Sequence, residues 1–600
     1  MPQYTPPIRD TRFVLDRVLK VDRYADLPGF ASASPEIVGA VLEEGGKFVA
    51  EVLFPLNQIG DRQGCTRHED GSVTTPDGFK EAYKSFIEAG WTTLAMPEEF
   101  GGQGMPHYLS TAFEEYLISS NMGFAMYQGL TLGAVSAIMA KGSHEQQAKY
   151  LPKMISGEWG GTMNLTEPQC GTDLGLIRTR AEPQADGSYS ITGTKIFISA
   201  GEHDLTDNIV HLVLAKTPGA PDSSKGISLF IVPKFLVNED GSLGERNGVS
   251  CGSIEHKMGI HGNATCVMNY DGATGWLVGE EMKGLAAMFI MMNAARLGVG
   301  LQGLSLGEVA LQNAVQYASD RRQGRALTGP KEPGEKADTL FVHPDVRRML
   351  MEGKALTEGL RALCLWGALL VDLSHKAGSE EERQTADDLV SLLTPVIKGV
   401  GTDIGYRVAT DSQQVYGGHG YIAEWGMEQY VRDARISMIY EGTNGVQAMD
   451  LVGRKLALNG GRAIQAFFAM VAGEIAEAKG DAKLAGLAEA LEKALGHLQG
   501  ATMWLAANGF KNPNDVGAGA YPYMQLTGTV TLGLMWLRLA KAALEALAEG
   551  GGDTRYYEAK LVTARFYAER FLPEAGGLRR KVESGSEAVM ALDPEMFRAA

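Results

Sequence analysis

The sequence predicts a mainly α protein with an inserted antiparallel β-domain and an extra C-terminal helical domain. Three observations carry that prediction. Helical periodicity flanks a single block of strand-like runs, the two patterns are segregated rather than alternating, and a leucine stripe continues beyond residue 480. Segregated elements argue against a doubly wound parallel sheet. At 600 residues the chain is too long for one core, so two to four domains are expected.

Taken in order, residues 1–40 hold mixed turns and short amphipathic pieces, an N-terminal extension. Residues 41–159 read as an N-terminal helical domain. Its runs 79–89 and 109–119 place apolar residues three and four apart, and the loop 96–104 separates them. Residues 160–280 read as the β-domain. The runs 188–199, 209–216, 227–235 and 264–270 are rich in strand formers and bounded by Gly, Asp, Asn and Pro. Helical periodicity returns over 281–457. In the last block, 458–600, Leu484, Leu487, Leu491, Leu495 and Leu498 step by three or four and predict one buried helix face.

Charge and cysteine usage narrow the function. A net charge of −17, from 55 Lys and Arg against 72 Asp and Glu, disfavours a nucleic-acid or anionic-membrane binder, which needs a cationic face. Five scattered cysteines form no C-x-x-C and no disulfide framework, so a reducing cytoplasm is the expected compartment. The N-terminus carries neither a basic nor an apolar targeting region. The most apolar stretch, 284–304, contains Asn293 and Arg296; a charge there is expensive in lipid, so a buried helix and no membrane span are expected.

Three segments can carry chemistry. Ile439-Tyr440-Glu441-Gly442-Thr443-Asn444-Gly445 lies between helical stretches 428–435 and 446–456. A carboxylate in such a loop can lose solvent and become a useful base; on these residues alone, an acid complementing a helix N-terminus is the commoner reading. Asn164 to Asp173 offers hydroxyls and a glycine-opened backbone to an electron-rich ring or a phosphate; on these residues alone, a plain turn is the commoner reading. The glycines of Gln413 to Tyr421 suit close approach of a bulky ligand, or a helix C-cap. Arg296 in its apolar run must be paired or ligand-bound, and Arg321-Arg322-Gln323-Gly324-Arg325 can grip a diphosphate or complement a helix end. No Walker loop, G-x-S-x-G, H-E-x-x-H or zinc spacing is present, and no metal is expected.

Together these segments resemble the acyl-CoA dehydrogenase family from about residue 80 to about 456. The resemblance rests on the loop from Pro97 to Gly104, Gly142-Ser143-His144-Glu145-Gln146 with Tyr150-Leu151-Pro152-Lys153, Thr166-Glu167-Pro168, and the strand end from Ile196 to Gly201. It continues through Arg321, Tyr416 to Tyr421, Arg432-Asp433-Ala434-Arg435 and Tyr440-Glu441-Gly442-Thr443. The extension and the helical tail are similar to the roughly 600-residue bacterial branch and, within it, to 3-(methylthio)propionyl-CoA dehydrogenases. The resemblance implies FAD as cofactor and Glu441 as catalytic base. It implies Met163, Leu165, Thr166, Gly171 and Thr172 in the loop that meets the flavin, with Phe197 and Ser199 at the strand end beside the isoalloxazine. Arg321, Gln414 and Gly418 match positions that hold the FAD diphosphate and adenosine, usually across a subunit interface, and Thr443 matches a further FAD contact. Thr172, Asn293, Arg296 and Gly442 match substrate-contact positions. The chain departs from the pattern in having Phe197 where Trp is common, Met163 where an aromatic is common, and Gly324 where Phe is common.

The implied reaction is α,β-dehydrogenation of an acyl-CoA to the trans-2-enoyl-CoA. The implied partners are an electron-transferring flavoprotein as acceptor and a second copy of the chain in a homodimer. Ordinary fatty acyl-CoA dehydrogenation, an acyl-CoA oxidase, and a flavin-bearing DNA-associated protein of this fold are the alternatives. Tyr127 is a candidate plug of the acyl pocket, or an ordinary core tyrosine.

Overall fold

The computed structural model describes residues 2–598. The chain opens with helices α1 (Ile8–Arg12), α2 (Pro35–Phe48) and α3 (Phe54–Gln63), then a small hairpin of β1 (Thr66–Arg67) and β2 (Val73–Thr74). Next come α4 (Phe79–Glu88), α5 (His107–Ser120), α6 (Met122–Lys141) and α7 (His144–Ser156). The strands are β3 (Trp159–Asn164), β4 (Arg180–Pro183), β5 (Tyr189–Ser199), β6 (Asn208–Lys216), β7 (Ile227–Pro233), β8 (Phe235–Val237), β9 (Leu243–Arg246), β10 (Val249–Ile254) and β11 (Thr265–Leu277). Then follow α8 (Gly284–Asp320), α9 (Pro344–Lys376), α10 (Glu380–Val415), α11 (Met427–Arg435) and α12 (Asn444–Asp450). The tail holds α13 (Arg462–Ala478), α14 (Ala485–Asn508), α15 (Pro513–Glu549), α16 (Thr554–Arg570) and α17 (Ala575–Glu583).

The chain divides into two compact units, Val41–Gly298 and Met1–Ala40 with Val299–Ala600. In the first, a seven-stranded sheet runs in the order β10-β11-β5-β4-β6-β3, with β7 pairing β11 and β6. The sheet is mixed, not wholly antiparallel as the sequence suggested. β3 runs parallel to β6 in the register Trp159↔Asn208 to Asn164↔Val213. β3 is buried throughout and β6 almost so, the pattern of parallel strands covered on both faces rather than of alternating half-buried ones. Its sequence, WGGTMN, carries little strand propensity. A side chain at Gly161 would collide with Met154 and Ala134, so glycine there lets α6 and α7 approach the strand.

In the second unit the leucine stripe is covered: Leu484, Leu487, Leu491, Leu495 and Leu498 are all buried. A buried charge cluster joins chain segments that are hundreds of residues apart. Arg361 on α9 pairs with Asp10 of α1 and, at 2.9 Å, with Glu308 of α8. Lys560 on α16 pairs with the same Asp10 and, at 2.8 Å, with Glu358. The Tyr556 hydroxyl donates to Asp10 at 2.6 Å. Burial raises the Asp10 carboxyl, but Lys560, Arg361 and Tyr556 outweigh it and hold the carboxyl well below the usual range.

Among the described residues two helices, Met122–Lys141 and Gly284–Asp320, are long and apolar enough to cross a membrane by length and composition. In α6 most of the apolar surface is buried inside the protein, the environment of a core helix.

Candidate active site

The residues singled out in the sequence fall in both units. In the helical unit, Glu441 stands in the short connection from α11, through a single 3₁₀ turn (Ile436–Met438), to α12. It is half-buried, and its backbone is left-handed at φ 54°, followed by Gly442 at φ 82°. A non-glycine residue in this region is uncommon and costs about 1–3 kcal/mol, which the surroundings must offset. They do so by clamping the loop. Gln447 Nε2 donates to the Glu441 and Gly442 carbonyls, each at 3.2 Å. Thr443 caps α12, its hydroxyl accepting from the Val446 N–H at 3.3 Å. Asn444, buried, accepts from Lys398 Nζ at 2.9 Å and donates to Asp403 at 2.8 Å and to the Gly399 carbonyl at 3.0 Å, which fixes the loop to α10. Sequence reasoning missed Lys398 and Gln447 and gave Asn444 no role of its own within the Glu441 motif. Only the polar tail of the Glu441 motif pointed to them.

The glycine-rich segment follows the end of α10, where Gly417 is left-handed at φ 57° directly after the cap residue Tyr416. A side chain at Gly420 would strike the Gln413 carbonyl at 2.3 Å, so glycine there lets the turn after α10 pack back on the helix end. Gly418 is exposed and faces open space. An aromatic stack stiffens the turn. Tyr317 and Tyr416 lie face to face at 4.0 Å, His419 stacks on Trp425 at 4.3 Å, and the Tyr317 hydroxyl meets His419 Nδ1 at 2.9 Å. Of the three neighbouring arginines, Arg322 pairs with Glu332 and Arg325 with Asp338 at 3.2 Å. Arg321 is exposed, with no side-chain partner among the described residues, and Gln414 is exposed on the last turn of α10.

In the β-sheet unit, Met163 is the penultimate residue of β3, buried, and Leu165 and Thr166 are half-buried beyond the strand. The chain then turns tightly, Glu167 and Cys170 exchanging backbone hydrogen bonds at 3.0 Å, before the exposed Gly171 and Thr172. The loop is bound to the end of β5. The Ile196 N–H donates to the Thr166 carbonyl at 2.9 Å, and Thr162 Oγ1 to the Ser199 carbonyl at 2.8 Å. Beneath them Lys195, fully buried, donates to the Leu165 carbonyl at 3.1 Å and to Glu167 at 2.8 Å. Glu167 also accepts from the Thr179 hydroxyl and the Arg178 N–H, both at 2.6 Å. Burial pushes the Glu167 carboxyl up, and Lys195 with these donors overrides it, leaving it at about 2.

Phe197 projects from this platform. The residue is 60% exposed although its backbone is left-handed at φ 60°, and Ala200 shares that conformation at φ 54°. An exposed aromatic on strained backbone, beside a loop of half-buried apolar and hydroxyl side chains, fits a planar ring system laid against it. Asn293 is exposed on α8. Arg296 is buried, its guanidinium 3.4 Å from the Asn293 side-chain oxygen. Tyr127 is a core residue. Its hydroxyl donates to the Gly262 carbonyl at 3.2 Å and its ring meets His203 edge-on at 5.0 Å.

Comparison with known proteins matches these segments to one family along most of the chain. The profiles described as acyl-CoA dehydrogenase N-terminal, middle and C-terminal domains match residues 47–158, 162–273 and 282–456. A fourth, "Acetyl-CoA dehydrogenase C-terminal like", matches residues 464–593. The chain belongs to the acyl-CoA dehydrogenase family. It is an FAD-dependent oxidoreductase. A relative from Ruegeria pomeroyi, named 3-methylmercaptopropionyl-CoA dehydrogenase, is 43% identical over 98% of this chain and 99% of its own length. A broad-specificity linear acyl-CoA dehydrogenase of Mycobacterium tuberculosis is 36% identical over the whole of both chains. A Bacillus anthracis acyl-CoA dehydrogenase solved with FAD shares the fold, with a TM-score of 0.74 at 21% identity over 98% of this chain and 93% of that one. FAD supplies the hydride-accepting chemistry of this acyl-CoA dehydrogenase.

Proposed function

We propose that this acyl-CoA dehydrogenase acts on 3-(methylthio)propionyl-CoA, converting it to the trans-2-enoyl thioester with Glu441 as the base. What carries the reading is Glu441 itself, a half-buried carboxylate held left-handed by Gln447 and Asn444 in a chain 43% identical to a 3-methylmercaptopropionyl-CoA dehydrogenase. The α-proton of a thioester is weakly acidic, so a carboxylate removes it only when the enolate oxygen is stabilised. Hydrogen bonding by the Glu441 backbone N–H serves that purpose. Burial of the acyl chain expels water and raises the basicity of Glu441.

In this reading Thr172, Asn293, Arg296 and Gly442 contact the thioester. Met163, Leu165, Thr166, Gly171, Thr172, Phe197 and Ser199 hold the isoalloxazine, with Phe197 as the flat support. Arg321, whose side chain has no partner among the described residues, grips the diphosphate together with Gln414, Gly418 and Thr443. The acceptor is an electron-transferring flavoprotein and the assembly a homodimer.

Anaerobic titration of the FAD-loaded protein with 3-(methylthio)propionyl-CoA, butyryl-CoA and palmitoyl-CoA tests the substrate. The methylthio thioester should bleach the flavin fastest. Faster bleaching by butyryl- or palmitoyl-CoA would assign the chain to the dehydrogenation of linear acyl-CoA, the activity named for the mycobacterial relative. Glu441→Gln should keep the yellow cofactor and slow its reduction by about 10²–10⁴-fold, the usual contribution of a positioned general base. Reduction at the parental rate would remove Glu441 from the role. Hydrogen peroxide formed without an added acceptor would identify an oxidase instead.

A further inference from the structure

Within the helical unit, the C-terminal tail reaches the loop that carries Glu441. Helix α15 of the tail packs closely on α10 where α10 holds that loop. A side chain at Gly399 of α10 would meet Met524 of α15 at 2.4 Å and Gln447 at 3.6 Å, and one at Gly528 of α15 would meet Val400 at 2.7 Å. Glycine at both places lets the two helices come together.

Asp403, one turn beyond Gly399, is the meeting point. On the loop side its Oδ1 accepts from Asn444 Nδ2 at 2.8 Å. On the tail side its Oδ2 accepts from the Tyr521 hydroxyl and from Gln525 Nε2, each at 2.6 Å. Tyr521 and Gln525 share one face of α15, and they lie 118 and 122 residues from Asp403 in sequence. Asn444 in turn accepts from the fully buried Lys398 at 2.9 Å and donates to the Gly399 carbonyl at 3.0 Å. Hydrogen bonds to a charged acceptor are roughly twice as strong as neutral ones, so a carboxylate shared by two elements fixes each against the other. Burial raises the Asp403 carboxyl, and the bonds from Tyr521, Asn444 and Gln525 pull against that. Without the two tail donors, Asp403 is a half-buried carboxylate short of partners, free to turn away from Asn444 or to take a proton. Burial and the adjacent Asp403 also raise the Tyr521 phenol, so it stays a donor near neutral pH.

We propose that the tail takes part in the reaction: Tyr521 and Gln525 hold Asp403 against Asn444 and so set the placement of Glu441, a role that rests on the reading of Glu441 as the base. They are positioning residues and need touch neither thioester nor flavin. The loop requires such a hold because Glu441 sits in left-handed backbone at φ 54°, a conformation that persists only when the surroundings enforce it. A displacement of about 1 Å in a reacting group can cost about 10²-fold in rate. A contact that shifts the base therefore acts on the chemical step rather than on thioester affinity.

The test follows flavin reduction by rapid mixing in the full-length, FAD-loaded protein, with whichever of the three thioesters named above reduces the parental flavin fastest. The proteins compared are the parental chain, Tyr521→Phe, Gln525→Leu, the double variant, Glu441→Gln, and the triple variant that combines all three changes. At saturating thioester the double variant should reduce its flavin about tenfold more slowly, and each single variant about threefold, with thioester Kd, flavin spectrum and FAD content unchanged. In the Glu441→Gln background the two tail changes should cost nothing further, because their effect travels through the base. A tail that only supports the fold would slow both backgrounds alike, or weaken thioester and FAD binding together, and either result overturns the proposal. Tyr521→Phe removes one oxygen from a side chain that is 43% exposed, so it decides the question if the double variant does not fold. Parental rates in Tyr521→Phe and the double variant, beside a slow Glu441→Gln, overturn the role of the tail alone. A parental rate in Glu441→Gln overturns the base reading and the role of the tail with it.

Discussion

Glu167 and Glu114 lie in the same unit, each largely withdrawn from water, and they carry opposite tendencies. Glu167 gathers Lys195, the Thr179 hydroxyl and two backbone N–H groups, and stays ionised down to about pH 2. Among the described residues Glu114 has only the Ser110 hydroxyl, and burial lifts it to about 7. Burial pushes both acids the same way; the number of donors decides which wins. The chain places a satisfied anion where it fixes a loop against a strand, and an unsatisfied acid where a small cavity remains between α5 and α6.

The strongest way to break the comparison is to strip Glu167 of its cation. Lys195→Met leaves a buried carboxylate uncompensated, a change that costs about 3–5 kcal/mol. It also removes the donor to the Leu165 carbonyl. Denaturant melts should show the loss, and the purified variant should retain less FAD. Full stability with full cofactor would mean that the loop is held without the ion pair.

Acid titration measures the same interaction more gently. The Glu167 carboxyl falls from 4.5 to about 2 on folding, so between those values the unfolded chain binds more protons than the native one. Its stabilisation is complete above the unfolded value and disappears as the pH falls through about 2. The full span is about 3 kcal/mol. Glu167→Gln should flatten that part of the stability profile. An unchanged slope between pH 5 and pH 2 would contradict the pairing.

How much of this was legible in the sequence depends on the distance between partners. The helix-to-helix loop around Glu441 followed from a glycine-bearing break between two periodic stretches, and the tail's buried face from leucines a turn apart. Both signals are local. β3 escaped because a strand covered on both faces needs no alternation, and this one has two glycines among six residues. The Glu167–Lys195 pair spans 28 residues, and Lys195 looks like any charged residue in an alternating strand. The Asp10 cluster spans up to 550 residues, so only the fold brings it together. Glu114, with Glu115 beside it, reads as the polar face of an amphipathic helix. α5 is instead buried almost all round, which no periodicity within the helix announces.

Glu114 therefore makes the most discriminating, though smallest, prediction. A carboxyl raised from 4.5 to about 7 on folding binds more protons in the native state than in the unfolded one across that window. The protein is then stabilised below the unfolded value and loses that stabilisation as the pH rises through about 7, opposite in sign to Glu167. Glu114→Gln keeps the shape and cannot ionise. It should raise stability by about 1–3 kcal/mol at pH 8, with most of the gain gone at pH 5. Thermal melts of the parental and variant proteins at the two pH values measure the difference directly. A gain independent of pH would indicate better packing rather than relief of a buried charge. A loss at pH 8 would mean that the carboxylate already has a partner in solution, and the contrast with Glu167 would then rest on the identity of that partner rather than on its absence.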